Sequence, residues 1–224
     1  MAVRAHRKTD TASGILDVAE RLVQTRGFNA FSYADVATEL GITKPALHYH
    51  FAGKAELGEA LLARYTDRFS HALETIGASG TDAARKLGAY VDLYAQVLAQ
   101  DRMCLCGMLA ADYHTLPEPM RHAVTTFFDH NESWLADLID QGRNDGSLRD
   151  DGASQEVARM IIGALEGAML VARTYRDPAR FASATGRLLA EITNPARPET
   201  TNARTARPTR ARKTSSSTAR DCDP

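Results

Sequence analysis

The spacing of apolar residues admits one kind of secondary structure almost throughout the chain. Ile15, Val18, Ala19, Leu22 and Val23 recur at i, i+3, i+4, i+7 and i+8, which lines one face of a helix. The same period organises Leu57, Leu61, Leu62, Tyr65 and Phe69, then Leu87, Tyr90, Val91, Tyr94 and Leu98. It returns in Met120, Val124, Phe127, Phe128, Leu135, Leu138 and Ile139. Strict alternation, the mark of a half-buried strand, is almost absent. A chain of 224 residues patterned in this way, 44% hydrophobic and 25% charged, is expected to be all-α, with one or two domains and a sizeable core.

Breakers divide the pattern. Gly27 stops the first helix as a C-terminal cap, and Ser32 with Asp35 forms a capping box that starts a second, which ends at Gly41. Thr43 caps a third, with Pro45 in the first turn, where N–H groups have no helical partner. Gly53 separates it from a long helix over about 54–77. From about 82 a larger helical unit follows: a helix through Leu98, a short one in "CLCGMLAADYH" closed by "LPEP", a long one ended at "GRNDGS", and two over 153–176 and 178–192, divided at Asp177-Pro178. The expected domains are a basic arm over 1–10, a head over 11–53, a body over 54–193, and a disordered basic tail over 194–224. The tail is rich in Thr, Ser, Arg, Pro and Ala with no large apolar residue, and its arginines can meet phosphates nonspecifically.

Composition narrows the function classes. No apolar run approaches the ~20 residues of a membrane helix, and the basic start "MAVRAHRKTD" has no apolar segment behind it, so no secretory signal is expected. Three cysteines, Cys104, Cys106 and Cys222, do not make a disulfide framework, and a cytoplasmic protein is expected. There is no Gly-rich phosphate loop, G-x-S-x-G, H-E-x-x-H or clustered ligand set, so an enzyme is not expected, nor a cofactor or metal. Charge is uneven: residues 1–54 hold seven Lys/Arg and five Asp/Glu, residues 55–193 hold 13 and 20, and the tail holds seven and three. A mildly basic head on an acidic body points one end at an anionic partner.

The stretch "TKPALHYHF", residues 43–51, sits in that head as the second helix of a helix–turn–helix, the element whose N-terminal residues enter the DNA major groove. Leu40, Ile42, Leu47 and Phe51 would lock the two helices. Lys44, Pro45, Ala46 and His48 would face bases, and Thr43, Tyr49, His50 and Lys54 phosphates. A metal reading of His48 and His50 fails on spacing: two residues apart on a helix they project about 200° from one another, whereas zinc pairs sit four apart. His50 has a buried structural role as its alternative.

The run "FSYADVATELGITKPALHYHFAGKAEL", residues 31–57, closely resembles the DNA-binding domain of TetR-family transcriptional regulators. The shared marks are the "A-x-x-L-G-I-T-K" turn, the aromatic cluster before Phe51 and "GK-x-x-L" entering the fourth helix. The chain departs at His48, where the family commonly has Tyr; imidazole still offers a hydrogen bond to phosphate or base edge. The motif covers about residues 11–60, and the later helix count and lengths fit the family's ligand-binding and dimerisation domain. The resemblance implies a homodimer on double-stranded DNA with a palindromic operator, usually as a repressor, released by a small and largely apolar ligand. An architectural DNA-binding protein without ligand control is the alternative from another class.

For the dimer interface the last two helices offer Ile161, Ile162, Leu165, Met169, Phe181, Leu188 and Leu189. For the ligand pocket the candidates are Met108, Tyr113, Phe127, His130, Trp134, Glu166 and Tyr175, each with plain core as the alternative. Glu166 stands out as a carboxylate in an apolar run; a salt bridge to Arg173 or Arg159 would explain it simply. Cys104 and Cys106 are two apart, too close for an unstrained mutual disulfide. Some members of the family sense electrophiles or oxidants through a cysteine in this segment, which would carry over to Cys106, with Arg102 as the local cation that could lower its pKa. A buried cysteine acting as a small hydrophobe is the other reading.

Overall fold

The computed structural model describes residues 2–149 and 151–194, with residues 2–10 as backbone only. Nine α-helices run through the described residues, and no strand: α1 (Ala2–Arg26), α2 (Tyr33–Leu40), α3 (Lys44–His50), α4 (Lys54–Gly77), α5 (Ala83–Leu98), α6 (Leu105–Ala111), α7 (Glu118–Asp145), α8 (Ser154–Tyr175) and α9 (Pro178–Ile192). The expected all-α architecture, a helix–turn–helix head on a larger helical body, is what the chain adopts. α1 runs on through the segment read as an arm. The predicted tail, apart from Asn194, and Cys222 lie outside the described residues.

The local grammar is as the sequence dictates. Ser32 Oγ accepts the Asp35 backbone N–H, and the Asp35 carboxylate accepts the Ser32 backbone N–H at 2.7 Å, a reciprocal capping box. Gly41 takes φ 63°, the left-handed conformation that closes α2 and turns the chain into α3. Thr43 Oγ1 accepts the Ala46 N–H at 3.3 Å, and Pro45 occupies the first turn.

α1, α2 and α3 form the head around Ile15, Leu22, Phe31, Val36 and Leu47, all buried. α4 joins it to the body, where α5, α7, α8 and α9 pack on one another and α6 lies against α1, α4 and α7. The α7–α8 loop is pinned to the end of α9 by Arg149 N–H to Ile192 O and Asn194 N–H to Ser147 O, each 2.9 Å.

Two sets of partly buried bonds tie α1 to the body. Glu20, itself buried, pairs with Arg64 at 2.9 Å and with Arg68, both on α4. At the far end of α1, Arg173 of α8 donates to the carbonyls of Gln24 and Thr25, and the Met103 N–H donates to Gln24 O at 3.1 Å. These carbonyls belong to the last turn, where no helical donor reaches them.

One expectation about the body is corrected. Ile161, Ile162, Leu165, Met169 and Phe181 are buried within the protomer's own core, and Leu188 and Leu189 are half-buried against it. The first five leave no surface for a second subunit, while Leu188 and Leu189 stay partly open. α8 instead exposes Met160, Leu170 and Val171, with Gly163 and Gly167 on the same side.

Candidate nucleic-acid interface and ligand cleft

α3 is seated by Leu47, which is fully buried, and by Phe51; Leu40 and Ile42 pack at its edge. Its other face is open: Thr43, Lys44, Pro45, His48 and Tyr49 are exposed, Tyr49 at 70%, while Ala46 and His50 are half-buried. These residues put a cation, aromatic rings and a hydroxyl on the open side of a helix at and after its start, the disposition that fits a groove.

Besides the capping Thr43, two of the residues read as phosphate or base contacts are engaged by the head itself. His48 Nδ1 lies 3.0 Å from Ala52 O and its ring packs against Tyr33 at 4.8 Å, so only its outer edge is available to DNA. Tyr33 in turn donates its hydroxyl to Phe51 O at 3.1 Å, and burial, with the Glu56 carboxylate, pushes its pKa up to about 12. Lys54 is the second. Its Nζ donates to Phe31 O at 2.6 Å and sits over the Phe28 and Phe31 rings, 4.8 and 4.4 Å from their centroids. Burial lowers its pKa, and the ammonium stitches α4 to the α1–α2 loop. From sequence, a Lys after a Gly break looks like a free cation; the two Phe rings that hold it come from a loop more than twenty residues earlier.

In the body, a cavity of about 370 Å³ opens between α1, α4 and α5. Its floor is Tyr65, Phe69, Leu93 and Val97, and its rim carries Glu20, Gln24, Arg68, Gln96, Gln100 and Arg102. None of the seven residues predicted for a pocket lines it. Phe127 fills the core against Phe69 and Tyr65, and Trp134 stacks on Tyr90 at 5.6 Å. His130 is exposed beside Ser70, Met108 packs by Arg173, and Tyr113 is on the surface. Tyr175 is exposed beneath the Arg180 guanidinium, 3.8 Å from its ring. Periodicity identifies the side of a helix that faces inward, but a cavity forms where inward faces fail to meet, and no single helix carries that information.

Glu166 has neither of its expected partners. Arg159 pairs with Glu132 at 3.0 Å and Arg173 caps α1. The Glu166 carboxyl instead lies against the Cys104 thiol and Gly107, where a Cβ would overlap it, and its buried Oε1 has no hydrogen-bond partner among the described residues. Burial raises its pKa. Burial, and then the nearby Glu166 carboxyl, push both the Cys104 and Cys106 thiols up, although Cys106 stands in the first turn of α6. Arg102, the cation proposed to activate them, faces the cleft instead. A raised thiol pKa in a buried setting is the reverse of what a reactive sensor needs.

Among the described residues no group of three or more His, Cys, Asp or Glu is placed to hold a metal, and no helix is long and apolar enough to cross a membrane.

Residues 15–61 match the family described as bacterial regulatory proteins, tetR family, and residues 83–188 match the tetracyclin repressor-like C-terminal domain. The transcriptional activator FasR of Mycolicibacterium smegmatis is 27% identical over 66% of this chain, which spans 63% of that protein. The transcriptional repressor NemR of Escherichia coli is 26% identical over 77% of this chain and 88% of its own length. Among solved structures, a TetR-family regulator from Agrobacterium tumefaciens superposes with a TM-score of 0.80 at 29% identity, covering 84% of this chain and 100% of the other. One from Legionella pneumophila superposes at 0.73 with 32% identity, covering 80% and 95%.

Proposed function

The chain belongs to the TetR family of bacterial regulatory proteins, and from that membership we propose that it is a sequence-specific DNA-binding transcriptional repressor, a homodimer released from a palindromic operator by a small molecule. The observation that carries the reading is the open face of α3. Lys44, Pro45 and Tyr49 stand exposed on a helix whose opposite side is locked by Leu47 and Phe51, inside the segment that matches the family's DNA-binding domain. A C2 dimer presents two such helices and fits a two-fold symmetric site. Repression is the sign carried by the NemR relative, whereas the FasR relative is named an activator.

Release follows from how head and body are joined. α1 is held by α4 through Glu20 and by the body through the carbonyls of Gln24 and Thr25, so a shift of α4 or α8 reaches α3 through α1. A ligand that favours a body whose two heads are misspaced lowers DNA affinity by its differential binding, and a tenfold release requires about 1.4 kcal/mol. The cleft at this junction favours ligand control over a purely architectural role.

Fluorescence anisotropy on the DNA flanking the protein's own gene, with scrambled competitor at two salt concentrations, tests the reading. Tight binding that outlasts competitor and weakens in Lys44→Ala is expected. Equal affinity for scrambled DNA, or an undiminished Lys44→Ala variant, rejects it.

A further inference from the structure

We propose that the cleft between α1, α4 and α5 binds an organic monoanion with an apolar tail, its carboxylate held by Arg102 and its tail laid on Tyr65, Phe69, Leu93 and Val97. The proposal names a ligand class for the regulator described above and rests on that reading for the effect on DNA, though not for binding itself.

The charge arrangement selects the anion. Every acid along the cleft and its mouth is already paired: Glu20 with Arg64 and Arg68, Asp17 with Arg64 at 2.7 Å, and Glu39 with Arg21. Arg102 is different. Among the described residues its guanidinium has no ion pair or hydrogen bond, yet it is half-buried at the rim. The backbone holds it there. Asp101 takes φ 56° and donates its N–H to Leu98 O at 2.9 Å, and the Arg102 N–H donates to Val97 O at 3.3 Å, the two bonds of a Schellman ending to α5. A guanidinium stays charged at any accessible pH and presents a planar fork that suits a carboxylate. With Arg68 beside it, the same rim disfavours a cation.

The floor selects the rest of the ligand. Tyr65, Phe69, Leu93 and Val97 form an apolar surface along which a chain can lie. A cavity of about 370 Å³ is of the size that holds small ligands. A second feature points to a ligand independently. The Gln24 side chain is only 2% exposed, faces the cleft, and its Oε1 has no hydrogen-bond partner among the described residues. A buried amide oxygen without a donor is costly, and a hydroxyl or N–H on the ligand would satisfy it. The backbone carbonyl of the same residue receives Met103 and Arg173, so a ligand touching Gln24 acts on the joint between body and head.

Three probes with eight chain carbons each, the carboxylate carbon included, separate charge from hydrophobicity: octanoate, 1-octanol and octyltrimethylammonium, titrated calorimetrically into the full chain. Octanoate is expected to bind about tenfold or more tighter than the other two. Arg102→Gln should reduce it to the level of octanol without moving the melting temperature of the unliganded protein, which shows that the variant is folded. Val97→Trp, which fills the floor, should weaken octanoate and octanol alike. An alcohol or cation that binds as well as octanoate overturns the proposal, as does an Arg102→Gln variant that retains octanoate affinity. On operator DNA, octanoate should release the parent and not Arg102→Gln; binding without release overturns the regulatory half. If the unliganded protein shows no specific operator binding, the regulator reading fails, and the calorimetric comparison still decides the site.

Discussion

Asp112, at the end of α6, accepts the backbone N–H of Phe28 on Oδ2 at 2.8 Å, and the same oxygen lies 3.4 Å from the Asn29 N–H. Asn29 Nδ2 adds a bond to Thr115 Oγ1 at 2.7 Å. Phe28 begins the loop between α1 and α2, so the body grips the head within a few residues of the DNA-facing motif. Asp112→Ala leaves the partly buried Phe28 N–H without an acceptor and is expected to cost about 1–3 kcal/mol. Asp112→Asn keeps an acceptor and should lose less. Urea unfolding of the two variants beside the parent measures both, and equal stability of all three would show that the latch contributes nothing.

The two sides of α8 make opposite predictions. Leu170 is 57% exposed and Met169, one residue before it, is fully buried. If α8 supplies the dimer surface, Leu170→Glu should give monomers in sedimentation velocity at micromolar concentration while leaving the protomer folded. Met169→Ala should leave the oligomeric state alone and destabilise by about 2–5 kcal/mol, the range for a truncated buried methionine. A Leu170→Glu protein that stays dimeric moves the interface off this face.

This pair also shows how far the sequence could be read. Ser32, Asp35, Gly41 and Thr43 act on neighbours a few residues away, and their roles in bounding α2 and α3 follow from chemistry alone. The helices α8 and α9 themselves were legible too, but not which of their faces stay open. Ile161, Leu165 and Met169 carry a strong apolar period because they meet α7 and α9 of the same chain; the outer face, with Met160, Gly163, Gly167 and Leu170, is quieter. Lys54 and Arg102 make the same point for charge. One is tied down by Phe28 and Phe31, the other left unpaired where three helices diverge, and nothing beside them in sequence marks the difference.

Glu166 makes stability depend on pH in a definite sense. Burial raises its pKa above the ordinary glutamate value of 4.5, so the folded protein holds this proton more tightly than the unfolded chain does. The stabilisation is complete below the unfolded value and is lost as pH rises through the folded one. Glu166→Gln, neutral at every pH, should therefore melt increasingly above the parent as pH climbs from about 4.5 toward neutrality, with the gap closing at lower pH. Melting temperatures across that window give the test, and a gap that does not change with pH would mean the carboxyl is ionised at no cost. Gly107→Ala intrudes on the same carboxyl, since a Cβ there overlaps Glu166; it should destabilise by about 1–3 kcal/mol, as overpacking does.

The two lysines of the head should separate affinity from stability. Lys44 is exposed in the first turn of α3, whereas the Lys54 ammonium is bound to Phe31 O at 2.6 Å and covered by two rings. A lysine brought against the DNA polyanion, at a base edge as at a phosphate, displaces counterions, so its loss lowers the slope of log affinity against log salt by about 1. Lys44→Ala should show that change with little effect on melting. Lys54→Ala should do the reverse, keeping the slope and losing about 1–2 kcal/mol, the sum of a hydrogen bond and a cation–π contact. The order matters for α3 itself: Lys54 holds the loop between α1 and α2 against the start of α4, and α3 hangs between α2 and α4. Any loss of DNA binding in Lys54→Ala should thus track the fraction of folded head as temperature rises, whereas the loss in Lys44→Ala should persist where the head is fully folded.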